Sequence, residues 1–303
     1  MAIARSKYTR KTNSSRADLA IPVTSTTTSQ ASPGLLLTHK RDGVTTLTMN
    51  APARLNGWTM QMMDALKRAF MIAATDDETK VLVLTGADPY YCAGVNLAAT
   101  LKLAHPRKLH AMITRHNQAL FDAFLDFPKP ILVAVNGPAI GASVTSATLC
   151  DGIIASKKAT FSTPFTWLQI PPEGCSSVQF ERLMGQANAE RMLGEEGWRP
   201  SAQEALEAGL VQWVAPHDQL LDEAQRIALD WIAADASRSY RGGSTPDELK
   251  AVNAAESVAL ASAFLSAPFI ANQFKFLWGK KKRGPALMFL FLWISRPVWA
   301  RFL

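Results

Sequence analysis

Two glycine-containing turns and one loop glutamate are the parts of this 303-residue chain whose residue types and spacing could do chemistry. Tyr91-Cys92-Ala93-Gly94-Val95-Asn96-Leu97 follows the apolar run Val81-Leu82-Val83-Leu84-Thr85, which Gly86 ends. Asn136-Gly137-Pro138-Ala139-Ile140-Gly141-Ala142-Ser143 follows a second such run, Ile131–Val135. Each turn feeds a segment able to open a helix. The first N–H groups of a helix are unpaired and partly positive, which suits a developing anion. Two such turns facing each other at the carboxyl ends of neighbouring strands would form an oxyanion hole. Glycine also serves ordinary β–α turns, so spacing alone leaves both readings open. The glutamate is Glu173, in Ile170-Pro171-Pro172-Glu173-Gly174-Cys175-Ser176-Ser177. An acid in a Pro–Gly loop is ordinarily a solvated one. It becomes a candidate base if Phe165, Trp167, Ile170 and the two prolines desolvate it and raise its pKa.

The elements that must position these groups are legible as patterns. Leu35–Leu37 and Val44–Met49 read as strands joined by a tight turn at Asp42-Gly43. Met62, Met63, Leu66, Phe70 and Met71 recur at helical spacing over 58–74, and a second helix spans about 107–125 before Pro128 and Pro130. A helix opens near Gly141, Gly152–Ala155 is strand-like, and another helix covers about 218–235. Uninterrupted apolar strands alternating with helices describe a parallel α/β sheet buried on both faces. Beyond a Gly-Gly-Ser-Thr-Pro break at 242–246 the chain reads as helices to its end.

Composition narrows the functional classes. Hydrophobic residues make up 48% and charged residues 19%, which excludes wholesale disorder. The net charge of +7 is compatible with anionic partners and selects none. Cys92, Cys150 and Cys175 form no CxxC pair, which argues against a disulfide scaffold or structural zinc, and no metal is expected. His39, His105, His110, His116 and His217 have no ligand or triad spacing. Residues 1–33, rich in Ser and Thr with five basic residues and one acid, read as a disordered arm or a mitochondrial transit peptide. Lys280–Arg283 is a basic run, read as a solvated face or a phosphate contact. The apolar segment Ala286–Ile294 after it packs beneath a neighbouring subunit or makes a weak membrane-surface contact.

Taken in order, Val81-Leu-Val-Leu-Thr-Gly86, Tyr91-Cys-Ala-Gly-Val-Asn-Leu97, Lys129-Pro-Ile-Leu-Val-Ala-Val-Asn-Gly137, Ala139-Ile-Gly-Ala142 and Leu149-Cys-Asp151 resemble the crotonase (enoyl-CoA hydratase/isomerase) superfamily over roughly 34–265. The resemblance implies a crotonase-like ββα spiral core over 34–236 and a C-terminal helical oligomerisation region over 237–303. By it, the backbone N–H groups of Val95 and Ala142 hold a thioester oxygen. Ala93, Gly94, Val95, Asn96 and Leu97, with Arg54 and Leu55, then contact substrate and coenzyme A. The two glutamates of the family's hydratases fall at Thr145 and Phe165, neither of which is an acid. The Pro-Glu-Gly-Cys-Ser-Ser run after Phe161-Ser-Thr-Pro-Phe165 is similar to peroxisomal-type Δ3,Δ2-enoyl-CoA isomerases, in which this glutamate, here Glu173, is the base. That implies an isomerase of fatty acyl-CoA that needs no cofactor, coenzyme A being part of the substrate. The resemblance also implies trimers or hexamers and a peroxisomal or mitochondrial setting; a charge excess of only +7 over 303 residues, without an aromatic-interleaved basic strand, argues against a nucleic-acid partner. The alternatives are a hydratase using one acid and a non-catalytic RNA-binding or scaffold homologue. The final Arg301-Phe302-Leu303 differs from a Ser-Lys-Leu peroxisomal signal.

Overall fold

Three short apolar strands organise the structure, a computed structural model that describes residues 34–95 and 104–303. The arm expected over 1–33 and the candidate contacts Asn96 and Leu97 lie outside the described residues. Strands β1 (Leu36–Arg41), β2 (Val44–Met49), β3 (Val81–Gly86), β4 (Ile131–Val135), β6 (Gly152–Ser156) and β8 (Trp213–Ala215) form one sheet in that order. The β1–β2 hairpin is antiparallel and every later pairing is parallel. A two-stranded parallel sheet pairs β5 (Ala139–Ile140) with β7 (Phe161–Ser162).

β3, β4 and β6 are buried along their whole length, and successive side chains divide between two cores as strand geometry requires. Val83, Leu132, Ala134 and Ile154 face Leu220, Ala224 and Ile227 of a covering helix, Leu220–Ala233. Leu84, Ile131, Val133 and Ile153 face the larger core, which α1 (Met60–Thr75) and α2 (Pro106–Leu125) enter through Met62, Leu66, Phe70, Leu120, Phe121 and Phe124. Removing apolar area from water on both faces is the main term holding this sheet. β1 departs from the sequence expectation: it runs on to Arg41, and as the edge strand of the sheet it is largely exposed.

Asparagines fasten the loops at the carboxyl ends of these strands. Buried Asn56 donates to the Ala87 and Tyr90 carbonyls, both at 2.7 Å, and accepts from the Ala51 N–H at 2.9 Å. Asn136 accepts from the Gly86 N–H at 3.2 Å and donates to Asp88 at 2.8 Å. Asp151 of the Leu-Cys-Asp motif has a structural role. Its carboxylate meets the buried Arg238 guanidinium at 2.7 Å and accepts from the Ile131 N–H at 2.8 Å. The Arg238 terminal nitrogens also donate to the Leu149 carbonyl at 2.6 Å and the Phe124 carbonyl at 3.2 Å, and these bonds offset part of the cost of burying that pair.

α3 covers Ala142–Thr148, and between 164 and 207 the chain forms four short helices that patterning does not assign, α4 (Phe165–Leu168), α5 (Ser176–Met184), α6 (Gln186–Leu193) and α7 (Ala202–Glu207). α8 is the covering helix Leu220–Ala233. The C-terminal region is helical, as expected: α9 (Pro246–Phe264), α10 (Ala267–Gly279) and α11 (Arg283–Trp299). α11 packs Ala286 and Phe289 against Phe269, Ile270 and Leu277 of α10. Leu287, Phe291, Ile294 and Val298, spaced to share one side of α11, are exposed.

Candidate active site

The two glycine turns meet backbone to backbone. Ile140 N–H donates to the Cys92 carbonyl at 3.0 Å, and Cys92 N–H donates to the Pro138 carbonyl at 3.3 Å. Gly94 lies so close to the second turn that a β-carbon there would stand 2.6 Å from the Ile140 oxygen, and its φ of +79° is one that side chains resist. Gly141, at φ +61°, caps α3 without a side chain, and the next residue, Ala142, begins the helix. Buried Ser143 bridges the turns: its hydroxyl accepts from the Ile140 N–H at 3.0 Å and lies 3.1 Å from the Cys92 oxygen. The first turn is also tied to the loop before α1, since Ala93 N–H donates to the Leu55 carbonyl at 3.0 Å and Trp58 N–H to the Gly94 carbonyl at 2.8 Å. Neither Val95 nor Ala142 donates its N–H to a backbone partner among the described residues. Free amides at such positions are what an oxyanion requires.

Ala93, Gly94, Val95, Gly141, Ala142 and Glu173 line one cavity of about 410 Å³. The structure thus places the two turns and Glu173 at one cavity. Most of the remaining wall is apolar, including Met63, Phe165, Ile170 and Leu260. Arg54 and Leu55 are exposed and do not line the cavity among the described residues; the Leu55 carbonyl accepts from the Ala93 N–H of the first turn.

Glu173 is 6% exposed, and burial first and the charge of Glu256 second push its carboxyl up to about 8. A carboxyl held out of water keeps its proton more tightly than a solvated one. Trp167, expected in its surroundings, instead points outward and stacks edge-on against Phe276. It occupies the outer side of a four-residue helix whose inner side presents Phe165 and Leu168 to the cavity. Thr145 is buried with its hydroxyl on the Ala142 carbonyl at 3.3 Å, and Phe165 is buried. No carboxylate stands at either place.

Three contributors escape sequence reasoning. α2 supplies Ile113, His116, Asn117 and Leu120, whose spacing is a signal for one helix face. α9 supplies Leu260 and Phe264, so the C-terminal region builds the site as well as following it. Glu256, also on α9, binds the turn after Glu173, accepting from the Cys175 N–H at 2.6 Å and the Ser177 N–H at 3.0 Å. No local signal marks a contact between residues so far apart in the chain. Among the described residues, no three His, Cys, Asp or Glu side chains are grouped as metal ligands.

The enoyl-CoA hydratase/isomerase family model matches residues 39–261. Enoyl-CoA delta isomerase 2 of Rattus norvegicus is 35% identical over 262 residues, covering 84% of this chain and 66% of its own length. Enoyl-CoA delta isomerase 3, peroxisomal, of Mus musculus is 37% identical over 182 residues, covering 60% and 57%. Chromodomain Y-like protein 2 of Mus musculus is 31% identical over 255 residues, covering 81% and 50%. The chain therefore spans half to two thirds of the length of these curated relatives. The crystal structure of an enoyl-CoA hydratase/isomerase from Pseudoalteromonas atlantica superposes with a TM-score of 0.68 at 28% identity, covering 82% of this chain and 98% of that one. With the family model covering most of the sequence and the fold matching a solved member, the chain belongs to the enoyl-CoA hydratase/isomerase family.

Proposed function

We propose that this protein is a Δ3,Δ2-enoyl-CoA isomerase, moving a C3 double bond of a fatty acyl thioester to C2. The observation that carries the proposal is buried Glu173, the one acid among the described residues that line a largely apolar cavity, which Val95 and Ala142 line too. The similarity to proteins named enoyl-CoA delta isomerases supports it.

The reaction follows from these groups. The Glu173 carboxylate removes a proton from C2, and the electron pair spreads over a dienolate whose negative charge rests on the thioester oxygen. That oxygen faces the Val95 and Ala142 N–H groups, whose preorganised dipoles stabilise charge that develops only in the transition state. The protonated Glu173 then returns its proton to C4, and the double bond settles between C2 and C3. No water is consumed, and one carboxyl group serves as base and then acid. An ordinary carboxylate is a weak base for carbon; a pKa raised to about 8 narrows the gap to the C–H acid. The apolar wall from Phe165, Ile170 and Leu260 keeps water from the dienolate.

Arg54 and the exposed Lys280–Arg283 run are the cations proposed for the coenzyme A phosphates. The exposed side of α11 is proposed to pack against further copies in a trimer or pair of trimers, with weak membrane-surface contact as its other use. A compartment that oxidises fatty acids, peroxisome or mitochondrion, fits this substrate class.

Separate incubation with 3-enoyl-CoA and trans-2-enoyl-CoA tests the proposal. Conversion of the first to the 2-enoyl isomer without mass change is expected, and rapid gain of one water by the second would make the protein a hydratase. The similarity to a protein named for a chromodomain favours a second reading, a binding or scaffold role, which absence of turnover on both substrates would support.

A further inference from the structure

Glu256 takes no part in the proton shuttle above, yet it is a second buried carboxylate beside the cavity, 8% exposed. Its two oxygens divide between two backbone amides, Oε2 accepting from Cys175 at 2.6 Å and Oε1 from Ser177 at 3.0 Å. Cys175 is the N-cap of α5 and gives it no side-chain hydrogen bond. A carboxylate from a helix some eighty residues away fills the role that a capping side chain would otherwise fill. Only Gly174 separates Glu173 from this cap. Gly174 and Cys175 adopt positive φ values of 65° and 64°, so the clamp holds a turn that most sequences would not adopt unaided. Glu256 also sits one and two turns before Leu260 and Phe264, which line the cavity.

We propose that Glu256 is a positioning residue for Glu173, locking the Glu173–Ser177 turn against α9 and placing a fixed negative charge beside the base. Its catalytic consequence rests on the isomerase reading; its effect on Glu173 does not. The charge of Glu256 is the electrostatic contribution to the raised Glu173 pKa, added to burial. Burial likewise pushes the Glu256 carboxyl upward, while the Cys175 and Ser177 amides oppose that rise. Three other titratable groups on the elements packed here have partners of their own. The Cys175 thiol donates to the Leu249 carbonyl, Asp122 accepts from Asn253, and His116 bonds the Met112 carbonyl.

Two substitutions separate charge from reach. Glu256→Gln removes the charge and one of the two acceptors; Glu256→Asp keeps the charge on a shorter stem. Expected for Glu256→Gln is an acid limb of kcat/KM about one pH unit or more lower, with kcat reduced about tenfold. Expected for Glu256→Asp is a limb close to wild type with reduced kcat. The second readout needs no turnover: the pH midpoint of the stability difference between wild type and Glu173→Gln, measured again in each Glu256 background. A midpoint that falls with Glu256→Gln sustains the inference even if no isomerase activity is found, in which case only the isomerase reading fails. A midpoint and an acid limb unmoved by Glu256→Gln, or moved equally by both variants, would overturn it.

Discussion

Replacing Glu173 with Gln should stabilise the protein in alkali and leave it unchanged in acid. Gln has nearly the shape of the protonated acid but cannot ionise. In the folded protein the carboxyl is pushed from 4.5 up to about 8, so between those pH values the native state holds a proton that the unfolded chain has released. Stability contributed by the neutral acid is fully present below about pH 4.5 and is lost as pH rises through about 8. At about 1.4 kcal/mol per pH unit, the rise corresponds to roughly 5 kcal/mol. Urea denaturation of wild type and Glu173→Gln from pH 4 to pH 9 reads this difference directly. The expected result is coincidence of the two proteins at the acid end and a variant several kcal/mol more stable at the alkaline end. A difference that stays flat across the range would mean that Glu173 is solvated, and the case for a tuned base would fail.

Other perturbations probe the frame around the acid. Gly174→Ala places a β-carbon 2.4 Å from Phe121 and 2.5 Å from the Thr145 hydroxyl. It should cost about 1–3 kcal/mol in denaturation and lower kcat about a hundredfold by displacing Glu173. Ser143→Ala removes the hydroxyl that joins the two amide-bearing turns. It should lower kcat about tenfold with a smaller change in KM, because the amides act on charge that develops after binding. Glu in place of Leu287, Phe291 and Ile294 together puts three charges on the exposed side of α11. Light scattering should then report dissociation toward monomers with helix content retained; an unchanged mass would remove that surface from the assembly.

The sheet and the two turns were legible because their signals are local. Val81–Thr85 and Ile131–Val135 are apolar without interruption, as strands covered on both faces must be, and glycines mark where the backbone approaches itself. Glu173 stood out through its Pro-Pro-Glu-Gly-Cys-Ser-Ser setting, and the structure gives it a desolvated position. Trp167 was misread because a four-residue helix turns one side in and the other out, and a composition-based reading assigns no sides. β5 and β7 are two residues each, too short for any periodicity. Glu256 and the α9 wall were invisible because they reach the site through long-range packing against α2 and α5, which depends on the whole fold rather than on neighbours in sequence.

Steady-state isomerisation of a trans-3-enoyl-CoA by wild type and Glu173→Gln, compared at pH 8 where Glu173 in the folded wild type is about half ionised, bears most directly on Glu173 as the base. Loss of a general base in such a reaction costs roughly 10²–10⁴ in rate, and the account predicts a kcat lower by at least that range's lower bound with the fold intact. Turnover by Glu173→Gln equal to that of wild type would contradict it.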